Sequence, residues 1–356
     1  MKKKRIILYL VATLIGASAI ASSAPQTVFA ASSDTSVISS ITSAFEQKKT
    51  TLTINMTTAQ LSRINSLIDR AALQADAYAR YTLDRVDTRY STRGSKANVQ
   101  LTISYLENKQ QSDYVTAQAK ATLKTIVKPG MSQEEKVKVI HDYIVKRFAY
   151  DESLTFYSAY DGLTKGTTVC QGYALLGYRM LTLAGIENRM VEGAAGGQAH
   201  VWNKVKVNGN WYNLDMTWDD PTPDRKNEVS YSYYLVTDKL LARDHTWKRT
   251  GVPTATADYR TALAKKAKTS AKYRNLLSAI GGEMTYSTAA LQQKVLASIA
   301  KGKSDLTVQH DFNVASPQLA LDQIMKACRK TTIKNVRYAY KVADNGIATV
   351  KFLFDY

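Results

Sequence analysis

Asn208-Gly209 sits between two runs of alternating side chains, and this pairing of turn and pattern constrains the chain more than any other feature. Val201, Val205 and Val207 alternate with Trp202, Lys204 and Lys206, and Trp211 to Met216 run back on the far side of the turn. Asn-Gly is the strongest short hairpin signal, because both positions tolerate the left-handed backbone that a type I′ turn demands. With a two-residue loop, Val207 pairs with Asn210, so paired residue numbers sum to 417. Trp202 then faces Asp215, and His200 faces Thr217. His200 and Asp215 become diagonal neighbours on one face, with Cα atoms roughly 7–8 Å apart. The other face carries Val201, Val205, Val207, Tyr212, Leu214 and Met216, and it is expected to be the buried side. A register shift of one residue would separate the imidazole from the carboxylate.

A second feature lies upstream. Turn-forming residues from Tyr160 to Thr168 give way at Cys170 to a helical stretch, Ala174 to Ala184, which Gly185 stops as a C-terminal cap. Cys170 therefore falls at or next to a helix N-terminus, where unpaired N–H groups and the macrodipole favour negative charge. A thiol in such a place has a lowered pKa and becomes a usable nucleophile at neutral pH. Alone it would read as a small buried hydrophobe. Together with His200 and Asp215 it completes a nucleophile, a base and an orienting carboxylate. Asp219 shares the parity of Asp215 but lies beyond the expected end of pairing. Trp202 shares the His200 face and is expected either to wall the cleft and touch substrate or to pack as an aromatic. His141 borders the apolar stripe of a helix and reads as a partly buried helix histidine.

Three separated motifs carry a resemblance. They are Val169-Cys170-Gln171-Gly172-Tyr173, then Gly197 to Asn203 (GQAHVWN), then Asn210 to Pro221 (NWYNLDMTWDDP). In this order they resemble the transglutaminase-like superfamily, and more narrowly its exported bacterial members, over about residues 130 to 250. The resemblance implies an α+β fold with a papain-like core, in which a helix bearing the cysteine packs on an antiparallel sheet. It implies a triad at Cys170, His200 and Asp215. It also implies thioester chemistry on amide carbonyls: acyl transfer to a Lys amine, peptide or isopeptide hydrolysis, or deamidation. Protein or peptide substrates presenting Gln or Lys side chains or peptide bonds follow, with no cofactor.

The flanks lie outside this resemblance, and they resemble each other. Val37, Ile41, Phe45, Leu52 and Ile54 match Leu291, Val295, Ile299, Leu306 and Val308 at an offset of 254, and Val99 to Tyr105 matches Val350 to Tyr356 at 251. The first three positions of each set are four apart, as on a helix, and the last two alternate, as in a strand. Between them Pro129-Gly130 breaks the chain, and Ser132 with Glu135 forms a capping box for a helix whose stripe is Val137, Ile140, Ile144 and Phe148. The expected organisation is a signal peptide over 1–30, an N-terminal α+β module over 31–128 and a catalytic core over 129–250. A linker with some helix over 251–285 and a similar C-terminal α+β module over 286–356 complete it.

Lys2, Lys3, Lys4 and Arg5 precede an apolar run, and Val28-Phe29-Ala30 offers small residues to a signal peptidase, so an exported protein, secreted or at the cell surface, is expected. No membrane attachment is expected after cleavage. The 356 residues carry 48 Lys+Arg and 30 Asp+Glu, a net charge of +18; residues 251–356 alone hold 16 basic and 7 acidic groups. That tail suggests an anionic neighbour such as cell-wall polymer. Export and the lack of a stacking motif disfavour nucleic acid. Two cysteines and four scattered histidines give neither a disulfide framework nor a clustered zinc site, so no metal is expected. Cys170 and Cys328 could form one disulfide, which would silence the nucleophile; Cys328 otherwise reads as a core residue of a helix over Leu319 to Arg329. An alternative to the enzyme is a non-catalytic surface or wall-binding protein that uses the basic flanking modules.

Overall fold

The computed structural model describes residues 33–225, 227–312 and 316–356, together with the backbone of Leu14–Gly16. The expected signal peptide otherwise lies outside the described residues. Among these residues no helix is long and apolar enough to cross a membrane. The chain separates into two compact units. One holds the chain up to Lys128, Arg147–Gly185 and Ala199–Val201; the other holds Pro129–Lys146, Ile186–Gln198 and Trp202–Tyr356. Segment 129–250, expected as one core, thus contributes to both.

In the first unit, helix Asp34–Glu46 buries Val37, Ile41 and Phe45, the stripe that the four-residue spacing predicts. Its sheet runs in the order Leu14–Gly16, Leu83–Arg93, Lys96–Tyr105, Thr51–Thr57. Alternation along the central strand turns Ala97, Val99, Leu101 and Ile103 inward, against Ile54, Val86 and the helices. Glu107 follows that strand at 0% exposure. Its carboxylate accepts from the Tyr78 hydroxyl at 2.7 Å, the Ser112 hydroxyl at 3.0 Å and the Tyr160 amide at 3.0 Å. It thereby ties the sheet to helix Ala159–Lys165, which leads into the cysteine helix. Helix Cys170–Leu183 is almost wholly buried along its first eight residues, and Gly185 follows it with φ +76°, the left-handed stop expected from the sequence.

The second unit is built on a five-stranded sheet in the order Tyr234–Val236, Asn210–Leu214, Gln198–Val207, Asn188–Ala195, His245–Trp247. The hairpin has the expected register: Val207 pairs with Asn210 and Asn203 with Leu214. Its burial differs from expectation. The alternation marks only the Val201 face as buried, yet Trp202, Lys204 and Asn213 are as buried as Val205, Tyr212 and Leu214. The cause is the downstream segment that covers them. Lys204 Nζ donates to Asp238 Oδ1 at 2.7 Å and to the Pro253 carbonyl at 2.6 Å, beside the Trp247 ring. Burial lowers the Lys204 pKa, and Asp238 opposes that shift.

Residues 251–285 are more than a linker. Helices Tyr259–Ala267 and Ala271–Ala279 occupy most of them. The buried Arg260 donates to the carbonyls of Gly282 at 2.7 Å and Tyr231 at 3.1 Å. Beyond them a four-stranded sheet, in the order Met284–Thr285, Asp305–Asp311, Ile347–Asp355, Asn335–Val342, packs under helices Thr288–Ala300 and Pro317–Cys328. Here Leu306 pairs with Phe352 and Val308 with Val350; in the first unit Leu52 pairs with Leu101 and Ile54 with Val99. These are the positions related by 254 and 251, so the two sheets share one register.

Candidate active site

Cys170 is the first residue of its helix and is 8% exposed. Val169 before it has no side-chain oxygen to cap the helix, so the first amides are left to other acceptors. Strand Thr167–Thr168 delivers the cysteine, pairing in parallel with Ala149–Tyr150. The next two motif residues hold it there. Gln171 Nε2 donates to the Tyr81 carbonyl at 2.5 Å. Gly172 lies so close to Ser158 and Thr168 that a Cβ would fall 2.7 Å from the Ser158 carbonyl oxygen. Tyr150 lies near enough to the thiol that, after burial, Cys170 is the next cause pushing its phenol up to about 12. Sequence reasoning did not single out Tyr150, since the two-residue strand that carries it has no pattern of its own.

His200 lies on the hairpin strand, 5% exposed, in the three-residue piece that belongs to the cysteine-bearing unit. Asp215 comes just past the end of the return strand, at 0% exposure. The chain turns there, with the Asp219 amide donating to the Asp215 carbonyl at 3.2 Å. The turn aims two amides at the carboxylate: Asp215 Oδ1 accepts from Thr217 N at 3.0 Å and from Trp218 N at 3.2 Å. Its Oδ2 lies 3.0 Å from His245 Nε2, and His245 Nδ1 lies 2.5 Å from Asp244 Oδ1. Both ring nitrogens of His245 can donate to these oxygens only when the ring is an imidazolium. The rings of Trp202 and Trp218 pack on it at 5.4 and 4.8 Å. Carboxylate and imidazole are also metal donors; in this structure Asp215 and His245 bond each other.

Asp219 is engaged elsewhere. It accepts from Tyr233 N at 2.9 Å and meets His141 Nε2 at 3.1 Å, while His141 Nδ1 meets Asp142 at 3.1 Å. His141 is therefore fully buried rather than partly so. Burial opposes its charge, but the hydrogen bonds and charges of Asp142 and Asp219 win and raise its pKa. Burial raises the Asp219 carboxyl. We read the pair as ionised, because two carboxylates flank the one ring and both its nitrogens need to donate. The single turn 215–219 thus carries two acids: Asp215 meets two backbone amides and His245, and Asp219 meets one backbone amide and His141.

Trp202 is 1% exposed and donates from Nε1 to Asn213 Oδ1 at 3.2 Å, within a cluster of Val191, Tyr233, Val236, Leu241 and Ile347. A ring so enclosed packs the core, which corrects the expectation that it touches substrate. Both cysteines are free. Cys328 ends its helix at 1% exposure, and burial raises its thiol.

The model of the transglutaminase-like superfamily matches residues 120–216. The kyphoscoliosis peptidase of Homo sapiens is 29% identical over 134 residues, which cover 31% of this chain and 20% of that protein. The chain therefore spans about a fifth of the length of that relative. Among solved structures, the crystal structure of a TGase is 15% identical, with a TM-score of 0.25, over 37% of this chain and 44% of that one. A candidate cysteine protease from Cytophaga hutchinsonii is 17% identical, with a TM-score of 0.26, over 39% and 59%. Helix and sheet combine as in an α+β fold, and residues 120–216 are similar to the transglutaminase-like superfamily.

Proposed function

We propose that the protein is an exported enzyme that transfers acyl groups from protein or peptide amides through a thioester on Cys170. What supports this most is that Cys170 heads a helix inside one superfamily match that also spans His200 and Asp215 in the expected order. In this reading His200 takes the thiol proton, and Asp215 orients the ring and offsets its charge. The thiolate attacks the carbonyl carbon of a Gln side chain or peptide bond. Amides at the helix start, including that of Cys170, hold the oxyanion. His200 returns the proton to the leaving nitrogen as the C–N bond breaks, and ammonia or an amine departs. A Lys amine or water then attacks the thioester, gives its proton to His200, and frees the sulfur. The basic modules would keep the enzyme at an anionic wall polymer.

The test compares wild type with Cys170→Ala. Both are incubated with a Gln- and Lys-rich protein, and the products are read by mass spectrometry. Cross-links, deamidation and backbone cuts differ in mass, so the reaction is identified as well as detected. Cys170→Ala should lose the activity by about a thousandfold or more, together with iodoacetamide labelling at neutral pH. Cys328, at 1% exposure and with its thiol raised by burial, should label far more slowly than Cys170, and peptide mapping separates the two sites. Equal activity in the variant ends the proposal.

A further inference from the structure

The C-terminal sheet reaches Asp215 through a chain of hydrogen bonds. Between strands Asn335–Val342 and Ile347–Asp355 the chain turns at Asn345. Hairpin turns ordinarily lie at the surface, but Asn345 is 2% exposed. Its polar groups are all engaged. Nδ2 donates to the Ser232 carbonyl at 2.9 Å, Oδ1 accepts from Ile347 N at 3.0 Å, and its carbonyl accepts from Arg243 at 3.0 Å. Arg243 in turn clamps Asp311 with two bonds of 3.0 and 2.6 Å, the bidentate geometry that fixes orientation as well as position. The remaining group, the Asn345 amide, donates to the Tyr233 hydroxyl at 3.0 Å.

That hydroxyl passes the constraint on. It donates to Asp244 Oδ2 at 2.6 Å, Asp244 Oδ1 meets His245 Nδ1 at 2.5 Å, and His245 Nε2 meets Asp215 Oδ2 at 3.0 Å. Burial and Asp244 keep the Tyr233 phenol protonated, so it remains a donor. Each member has one partner on each side, so none is free to turn without breaking a buried bond, which is costly away from water. Ile347, at 0% exposure, sits beside Tyr233 and Trp202 in the same apolar cluster, so the turn is held by packing as well as by polar bonds.

We propose that the buried turn at Asn345 and the chain Tyr233–Asp244–His245 fix the orientation of the Asp215 carboxylate, which makes Tyr233 and His245 positioning residues of the acyl-transfer centre. The inference rests on the proposed role of Asp215. It gives the C-terminal module a part in the reaction, in addition to any wall binding.

The test uses the full chain in wild-type form and as Tyr233→Phe, His245→Leu and His245→Gln, with Asp244→Asn as a nearly isosteric fourth variant. Two quantities are read: the turnover of whichever product wild type forms, and the rate of iodoacetamide alkylation at Cys170. Near-UV circular dichroism reports folding. Tyr233→Phe and His245→Leu should lower kcat about tenfold or more with KM little changed. They should also slow alkylation. His245→Gln, which keeps a donor toward Asp215, should recover much of both. A merely structural role would lower the yield of folded protein without splitting kcat from KM and without rescue by Gln. Wild-type kcat in folded Tyr233→Phe and His245→Leu overturns the inference, as does equal loss in the Gln and Leu variants. If His245→Leu does not fold, Tyr233→Phe and Asp244→Asn decide by the same readouts. An inert wild type that Cys170→Ala leaves unchanged overturns the enzyme reading itself, and that outcome is distinct from the others.

Discussion

Gly172 decides where the thiol sits. A methyl group there would lie 2.2 Å from Thr168 Oγ1 and 2.7 Å from a backbone oxygen of Ser158. The threonine could rotate, but the carbonyl could not move without shifting the loop. Gly172→Ala should therefore cost about 1–3 kcal/mol and displace the helix start. A lower Tm together with slower iodoacetamide labelling of Cys170 would show it; an unchanged labelling rate would count against it. The reason for this glycine was not legible in the sequence, because Ser158 is a loop residue fourteen positions away. Cys170 at the helix start and Asp215 beside the hairpin were legible, since turn chemistry and alternation are local. His245 was not. It lies in a three-residue strand whose partner, Ala195, is fifty positions upstream, and no period announces so short an element. The choice for Trp202 between cleft wall and core was not legible for a related reason: the segment that covers it begins about thirty residues later.

Glu107 does for the elements of the first unit what Gly172 does for one helix. Three donors from three separate elements converge on its buried carboxylate. Glu107→Leu would leave these donors without a partner and should destabilise the unit by about 3 kcal/mol or more. Urea unfolding should show a lower midpoint with an unchanged slope. Elements with strong local signals match expectation. Ser132 and Glu135 form the capping box, with the Ser132 amide donating to Glu135 at 2.8 Å, and the hairpin keeps its register. The helices at 259–267 and 271–279 were only half legible. Their sequence offers only a linker with some helix, whereas Tyr259, Arg260 and Leu263 are buried by tertiary packing.

At the scale of the molecule, pH acts through the buried histidine His141. Its pKa is raised in the fold, so its charged form stabilises the fold. That contribution is fully present below about pH 6.5, the unfolded value, and is lost as pH rises through the higher folded value. The difference in Tm between wild type and His141→Asn should therefore be largest near pH 6 and should shrink toward pH 9; calorimetry across that range checks the sign. The charge imbalance of the last hundred residues was legible by counting, but the bracing of Asp215 proposed for them was not, because it depends on one inward turn. That turn also sets an order of events during biosynthesis. A ribosome adding residues in sequence releases the sulfur of Cys170 long before it releases Asn345. Through that interval Asp215 lacks its outermost brace, so under the proposed mechanism the growing polypeptide would carry Cys170 without an aligned partner, in a comparatively harmless state, until the last strands fold back.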